Sequence, residues 1–170
     1  MNLKPHIRDI PDFPSKGILF KDITPLLKDA EAMERATEAL LELIGHKKID
    51  KVVGMESRGF FFGPLLAARL KVGFVPVRKP GKLPAEKINV TYDLEYGSDT
   101  LEIHTDGIDK GDRILIHDDV LATGGTAKAT CELVERLGGQ IVQCNFLMIL
   151  EALNGEVKLN GYDVQSLVRY

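Results

Sequence analysis

The stretch Ile114-Leu115-Ile116-His117-Asp118-Asp119-Val120-Leu121-Ala122-Thr123-Gly124-Gly125-Thr126 decides how this chain is read. Three aliphatic residues in a row describe a strand buried on both faces, as in a parallel sheet. That strand delivers two acids to the sheet's edge, where small residues turn the chain into a helix. Gly124 and Gly125 lack Cβ atoms, so their N–H groups can come close to an anion. Thr123 and Thr126 add hydroxyl donors, and the helix N-terminus adds amides with partial positive charge. It is an anion cradle built without a cation.

Two carboxylates beside an anion site make sense through what they accept. Asp118 and Asp119 take hydrogen bonds and donate none, so they suit a ligand with hydroxyls. A ribose 5-phosphate carries a diol and a phosphate, and one turn can grip both ends. Helix capping alone accounts for one acid and one threonine. It leaves the second acid, the second threonine and the paired glycines without a reason. The Gly-Lys-Ser/Thr ending of a P-loop and the Gly-x-Gly-x-x-Gly of dinucleotide folds are both absent.

Outward from this turn, a helix runs through Ala127, Thr130, Leu133, Val134 and Leu137 to Gly138-Gly139, and an apolar strand follows from Ile141 to Leu150. Upstream, Met33, Ala36, Leu40, Leu41 and Ile44 recur at helical spacing over Ala30 to Ile44, with Gly45 as a stop. Lys51 to Met55 reads as a strand, Gly59 to Lys71 as a helix, and Phe74 to Val77 as a strand. Alternating strands and helices predict an α/β fold with a central, mostly parallel sheet flanked by helices. Pro80 to Asp106, with its prolines, glycines and weak alternation, reads as a loop or loose hairpin. A segment of that length in a compact domain is often an active-site lid, and it is the expected moving part.

The 170 residues fit one domain, 1–170, with 44% hydrophobic and 28% charged residues. A net charge of -3 gives no global attraction to nucleic acid or anionic membrane. No apolar run spans a bilayer and the N-terminus lacks a signal-peptide core, so a cytoplasmic protein is expected. Cys131 and Cys144 then read as reduced core thiols.

Other segments carry anion chemistry of their own. Glu56-Ser57-Arg58-Gly59-Phe60 follows a strand and opens a helix. By itself Ser57 is equally a cap, and Arg58 a solvated charge. Arg78-Lys79-Pro80-Gly81-Lys82 sets three cations in five residues, which alone describes a solvated face as readily as a clamp. The apolar run in Asp12 to Leu27 supplies either a flat pocket for a heterocycle or an arm laid on the core.

The segment Ile114 to Thr126 resembles the phosphoribosyl diphosphate signature of the type I phosphoribosyltransferases. That resemblance implies the type I fold, with a base-binding hood over 1–28 and a mobile lid over 80–106. It implies that Asp118 and Asp119 hold the ribose hydroxyls, while Ala122, Thr123, Gly124, Gly125 and Thr126 hold the 5'-phosphate. Glu56, Ser57 and Arg58 fall where the family places its pyrophosphate loop, and Arg78, Lys79 and Lys82 become a clamp on the same group. Mg²⁺, bound mainly through the diphosphate rather than directly by the protein, is the implied cofactor.

The N-terminal segment, the two basic or loop segments above and Leu94-Glu95-Tyr96-Gly97 resemble the adenine-specific branch of that family, in the same order along the chain. The implied reaction joins adenine to phosphoribosyl diphosphate, giving AMP and pyrophosphate. Ile18, Leu19, Phe20 and Lys21 would form the adenine pocket, with Phe20 stacking on the base. Glu95 would exchange a proton with the purine, Tyr96 would close over the site, and Arg58 would serve the chemistry. A homodimer is implied as well. Two departures stand out: Lys21 where many relatives have arginine, and His117 where an aliphatic is usual. Strand alternation points His117 away from Asp118, toward a neutral core role. The rival readings are a transferase for hypoxanthine, guanine or xanthine, and a non-catalytic sensor of phosphoribosyl diphosphate. The sensor lacks room for a DNA-binding module, and no basic helix-turn-helix pattern is present.

Overall fold

The computed structural model describes residues 3–93 and 97–170. In chain order the elements are β1 (Arg8–Pro11), β2 (Leu19–Asp22), α1 (Thr24–Leu27), α2 (Ala30–Ile44), β3 (Lys51–Met55), α3 (Gly59–Leu70), β4 (Gly73–Val77), β5 (Lys87–Asp93), β6 (Ser98–His104), β7 (Arg113–Leu121), α4 (Gly125–Arg136), β8 (Gln140–Ile149) and β9 (Val164–Arg169). Five strands form one sheet in the order β4-β3-β7-β8-β9, and every pairing in it is parallel.

Alternation along the central strand builds both layers. Ile114 and Ile116 face one core with Val53, Cys144, Phe146 and the α4 residues Ala127, Cys131 and Leu133. Leu115 faces the other, with Val52, Leu147, Phe62 and Leu66 of α3, and Ala36 and Leu40 of α2. The aliphatic triplet is thus buried on both faces because helices cover both. Helix α2 spans the expected residues. Asp29 caps it, accepting from the Ala32 amide at 3.0 Å, and Gly45 ends it at φ 63°. Cys131 and Cys144 are buried free thiols, their sulfurs 3.8 Å apart across the α4–β8 interface.

Of the two expectations for the middle segment, a loop or a loose hairpin, the structure takes the hairpin and pairs it regularly. Residues 80–106 are mostly a regular antiparallel hairpin, paired from Lys87↔His104 to Asp93↔Ser98. Val90, Leu101 and Ile103 anchor it, buried in the same core as Ala127 and Leu133. The alternation reads weakly because Val90 is the sole fully buried residue of β5. A short second hairpin, β1 with β2, carries the N-terminal segment. Strand β9, at the edge of the sheet, has no counterpart in the sequence reading, which places no element after Leu150.

Candidate active site

The sheet order fixes where a ligand fits. From β3 the chain crosses to β4 on one side, and from β7 it crosses to β8 on the other. Helices α3 and α4 leave these adjacent strands toward opposite faces, opening a crevice beyond their carboxyl ends. A cavity of about 330 Å³ lies there, lined by Met55 to Arg58 and by Asp118 to Ala127.

Strand β7 does not turn at the acids, as the sequence reading had it. It continues to Leu121, with Asp118 paired to Phe146 and Leu121 to Ile149. The acids therefore sit on rigid sheet, and the turn is confined to Ala122, Thr123 and Gly124. Helix α3 begins hard against them: a Cβ on Gly59 would fall 2.8 Å from the His117 carbonyl oxygen and 3.2 Å from Asp118 Oδ1. Glycine at this position is what allows the approach.

Asp118 is half-buried and its Oδ1 accepts from the Asp119 amide at 2.8 Å. Asp119 is 1% exposed. Its Oδ2 lies 3.1 Å from Arg58 Nη1 yet accepts no hydrogen bond among the described residues. Burial pushes both carboxyls upward. The neighbouring Asp119 charge adds to this at Asp118, whereas the Arg58 guanidinium opposes it at Asp119. Such a pair is stabilised by hydroxyl donors, which satisfy the oxygens without adding charge.

Gly124 precedes α4 at φ 77°, and no side chain caps the helix. Its first-turn amides therefore have no acceptor within the helix and line the cavity. The loop is backed by main chain: a Cβ on Gly155 would lie 2.2 Å from the Ala122 carbonyl oxygen. Thr123 is exposed. The Thr126 hydroxyl is engaged from the hairpin, 3.0 Å from the Tyr92 hydroxyl.

Several expected residues stand elsewhere. Glu56 lines the cavity but anchors cations instead of offering a donor. Its carboxylate accepts from the Lys79 amide at 2.8 Å and from Arg78 Nε at 3.1 Å, and it pairs with Lys82. Burial alone would raise this carboxyl, but those bonds hold it down at about 2. Glu56 thus stands in the cavity wall as an ionised counter-charge to Arg78 and Lys82. Lys79 pairs with Asp99. The three cations of the basic run thus share two carboxylates, Glu56 and Asp99, and none of them lines the cavity.

The N-terminal segment meets the cavity through Arg58. Its guanidinium lies over the Phe20 ring, 4.9 Å from the centroid, and Nη1 is 3.5 Å from the Lys21 carbonyl oxygen. Ile18 and Leu19 are each 49% exposed beside them. The Lys21 side chain faces away: its ammonium is 2.6 Å from Asp9 Oδ1 and 3.8 Å from the Tyr170 ring centroid. Lys21 therefore offers this site a carbonyl and no charge, because alternation along β2 turns its side chain to the opposite face. His117 is buried, with Nδ1 2.7 Å from Asn145 Oδ1. Burial pushes its pKa down to about 4 against the raising effect of that bond. Glu95 and Tyr96 lie outside the described residues. Sequence reasoning named Gly59 only as a helix start beside Arg58, and it missed Tyr92, Asp99 and Gly155, which carried no local signal.

The phosphoribosyl transferase domain family matches residues 24–167. An adenine phosphoribosyltransferase of Christiangramia forsetii is 62% identical over 170 residues, covering 100% of this chain and 99% of that protein. One from Halothermothrix orenii is 56% identical, covering 99% of each. Among solved structures, the adenine phosphoribosyltransferase of Thermoanaerobacter pseudethanolicus superposes with a TM-score of 0.97 at 55% identity, covering 99% of this chain and 98% of that one. The Saccharomyces cerevisiae enzyme, complexed with an imino-altritol bisphosphate and adenine, superposes at 0.90 with 48% identity, covering 95% and 94%. With its cavity at the switch point of a parallel sheet and these relatives along its whole length, the chain belongs to the phosphoribosyltransferase family.

Proposed function

We propose that this chain transfers the 5-phosphoribosyl group from phosphoribosyl diphosphate to adenine, releasing AMP and pyrophosphate, in purine salvage. One observation carries the reading: a buried acid pair at the end of β7 shares a cavity with the uncapped first turn of α4. The acids receive the ribose hydroxyls, and the amides from Ala122 to Thr126 receive the 5'-phosphate.

Breaking the C1–O bond leaves positive charge on the sugar and sends negative charge into the diphosphate. Arg58 and Ser57, at the opposite wall of the cavity, receive the diphosphate. The buried acids favour the sugar's developing positive charge. Arg78, Lys79 and Lys82 join by exchanging their carboxylate partners for the diphosphate. Ile18, Leu19 and Phe20 hold adenine, and Glu95 and Tyr96, joining β5 to β6, handle the base proton and shield the site from water.

No three potential metal ligands converge among the described residues. One or two carboxylates suit Mg²⁺, which keeps several waters and leans on substrate phosphates instead of an all-protein cage. Asp118 and Asp119 are the residues that would meet it. When bound, Mg²⁺ offsets diphosphate charge as the bond breaks.

We also infer a homodimer in the cytoplasm. The exposed apolar residues Phe13 and Phe61, outside the adenine pocket, support the dimer, and the free thiols support a reducing compartment. A monomeric mass in solution would overturn the first. The decisive assay supplies phosphoribosyl diphosphate with adenine, hypoxanthine, guanine or xanthine in competition. AMP and equimolar pyrophosphate are expected as the main products; preference for another base would reject the adenine assignment.

A further inference from the structure

Tyr92, the next-to-last residue of β5, is absorbed by none of the roles above. Its ring lies against the start of α4, so that a Cβ on Gly125 would sit 3.1 Å from it. Its hydroxyl is 3.0 Å from Thr126 Oγ1 and 3.4 Å from Asp99 Oδ2. Asp99 is otherwise well supplied: it pairs with Lys79, and its Oδ1 takes the Thr100 amide at 2.8 Å. The line of contact runs from the basic segment through the hairpin into the loop assigned to the phosphate.

Proton counting gives this line a direction. The Tyr92 hydroxyl has one proton and can give it to Asp99 or to Thr126. If Tyr92 donates to Asp99, Thr126 satisfies Tyr92 with its own proton and has none left for a ligand. If Tyr92 donates to Thr126, the threonine proton is free to point into the cavity. Asp99 tolerates that change because Lys79 and the Thr100 amide still hold it. An anion in the cavity selects the second arrangement, since it needs a donor from Thr126.

We propose that Tyr92 is a positioning residue for the 5'-phosphate: its hydroxyl donates to Thr126 and thereby aims the threonine proton at the ligand, tying hairpin and phosphate loop together when the donor binds. This rests on the phosphate reading of the α4 N-terminus.

Three variants of the full chain test it: Tyr92→Phe, Thr126→Val and the double. Phenylalanine keeps the ring against Gly125, so the fold is retained and the melting temperature checks it. Calorimetry without adenine measures the affinity for phosphoribosyl diphosphate, and steady-state kinetics give kcat and the adenine KM. Tyr92→Phe should weaken donor binding about fivefold, the worth of one neutral hydrogen bond, with the adenine KM unchanged. The double should match Thr126→Val within about twofold, since the threonine hydroxyl is the only route of the effect. Wild-type donor affinity in Tyr92→Phe, beside a weakened Thr126→Val, overturns the tether and leaves the phosphate site standing. A double weaker than Thr126→Val by the full Tyr92→Phe factor overturns it too. Wild-type affinity in Thr126→Val removes the threonine from the phosphate site, and the tether with it.

Discussion

Asp118 and Asp119 are adjacent in sequence but differ in what surrounds them. Asp119 is buried, opposite Arg58, with an oxygen left without a hydrogen bond; that oxygen is the one a ribose hydroxyl would satisfy. Asp119→Asn keeps the shape and removes the charge. Turnover should fall at least about tenfold, roughly 1.4 kcal/mol of transition-state stabilisation; initial rates at saturating substrates measure it, and an unchanged rate would remove the diol role. The acid pair was legible in the sequence because both carboxylates and the glycines after them are neighbours. The state of the cations was not. Arg78 and Lys82 meet Glu56, and Lys79 meets Asp99, partners twenty or so positions away that only the sheet brings near. The same holds for Lys21, whose direction depended on which face of β2 met the core.

Among the elements, the loop between β7 and α4 depends on a residue far along the chain. Gly155 sits so close behind it that a Cβ would be 2.2 Å from the Ala122 carbonyl oxygen and 3.0 Å from the Gly124 nitrogen. Gly155→Ala must push this loop toward the cavity. We expect affinity for phosphoribosyl diphosphate to drop at least about tenfold, with about 1–3 kcal/mol lost in stability, the usual cost of overpacking. Calorimetry and urea unfolding measure the two effects, and native donor affinity would show that the loop does not lean on Gly155. Elements with their own punctuation were legible. Helix α2 announces both ends through Asp29 and Gly45, and Val52-Val53 in β3 and Ile114 to Ile116 in β7 are unbroken aliphatic runs. The β5–β6 hairpin was legible only as a loose hairpin or a loop, since its β5 strand buries Val90 alone and shows polar residues on most other positions. The far end of β7 was hidden because acids in a strand read as a turn.

At the scale of the whole molecule, buried and paired titrating groups set how stability follows pH. His117 has a folded pKa of about 4 against 6.5 in an unfolded chain. A neutral buried histidine favours unfolding as protons become available, so stability declines from about pH 6.5 downward. Asp22, Glu56 and Asp163 are each held at about 2, below their ordinary 3.8, 4.5 and 3.8. Depressed carboxyls contribute stability above their unfolded values and lose it as pH falls from about 4.5 toward 2. Asp118 and Asp119 work in the opposite sense, because their carboxyls are raised and protonation relieves them. The urea midpoint should therefore slope gently below pH 6.5 and steeply below 4.5. Replacing His117 with leucine should remove its decline and leave the upper limb level, or tilted upward toward acid by the raised Asp118 and Asp119; an unaltered slope between pH 6.5 and 4.5 would exclude this histidine as its source.

The pairing of the basic run has a consequence for how substrates arrive. Each positive head already faces an internal counter-charge, Arg78 and Lys82 sharing Glu56 and Lys79 taking Asp99, so the resting molecule projects a weakened field into solution. Passing polyanions would feel a shallow funnel. On the proposed function, the stronger attraction would develop only after a visitor has docked its sugar and phosphate well enough to trade places with Glu56 and Asp99. Discrimination against abundant nucleotides then comes from fit at close range, and the rate of capture should respond only weakly to ionic strength.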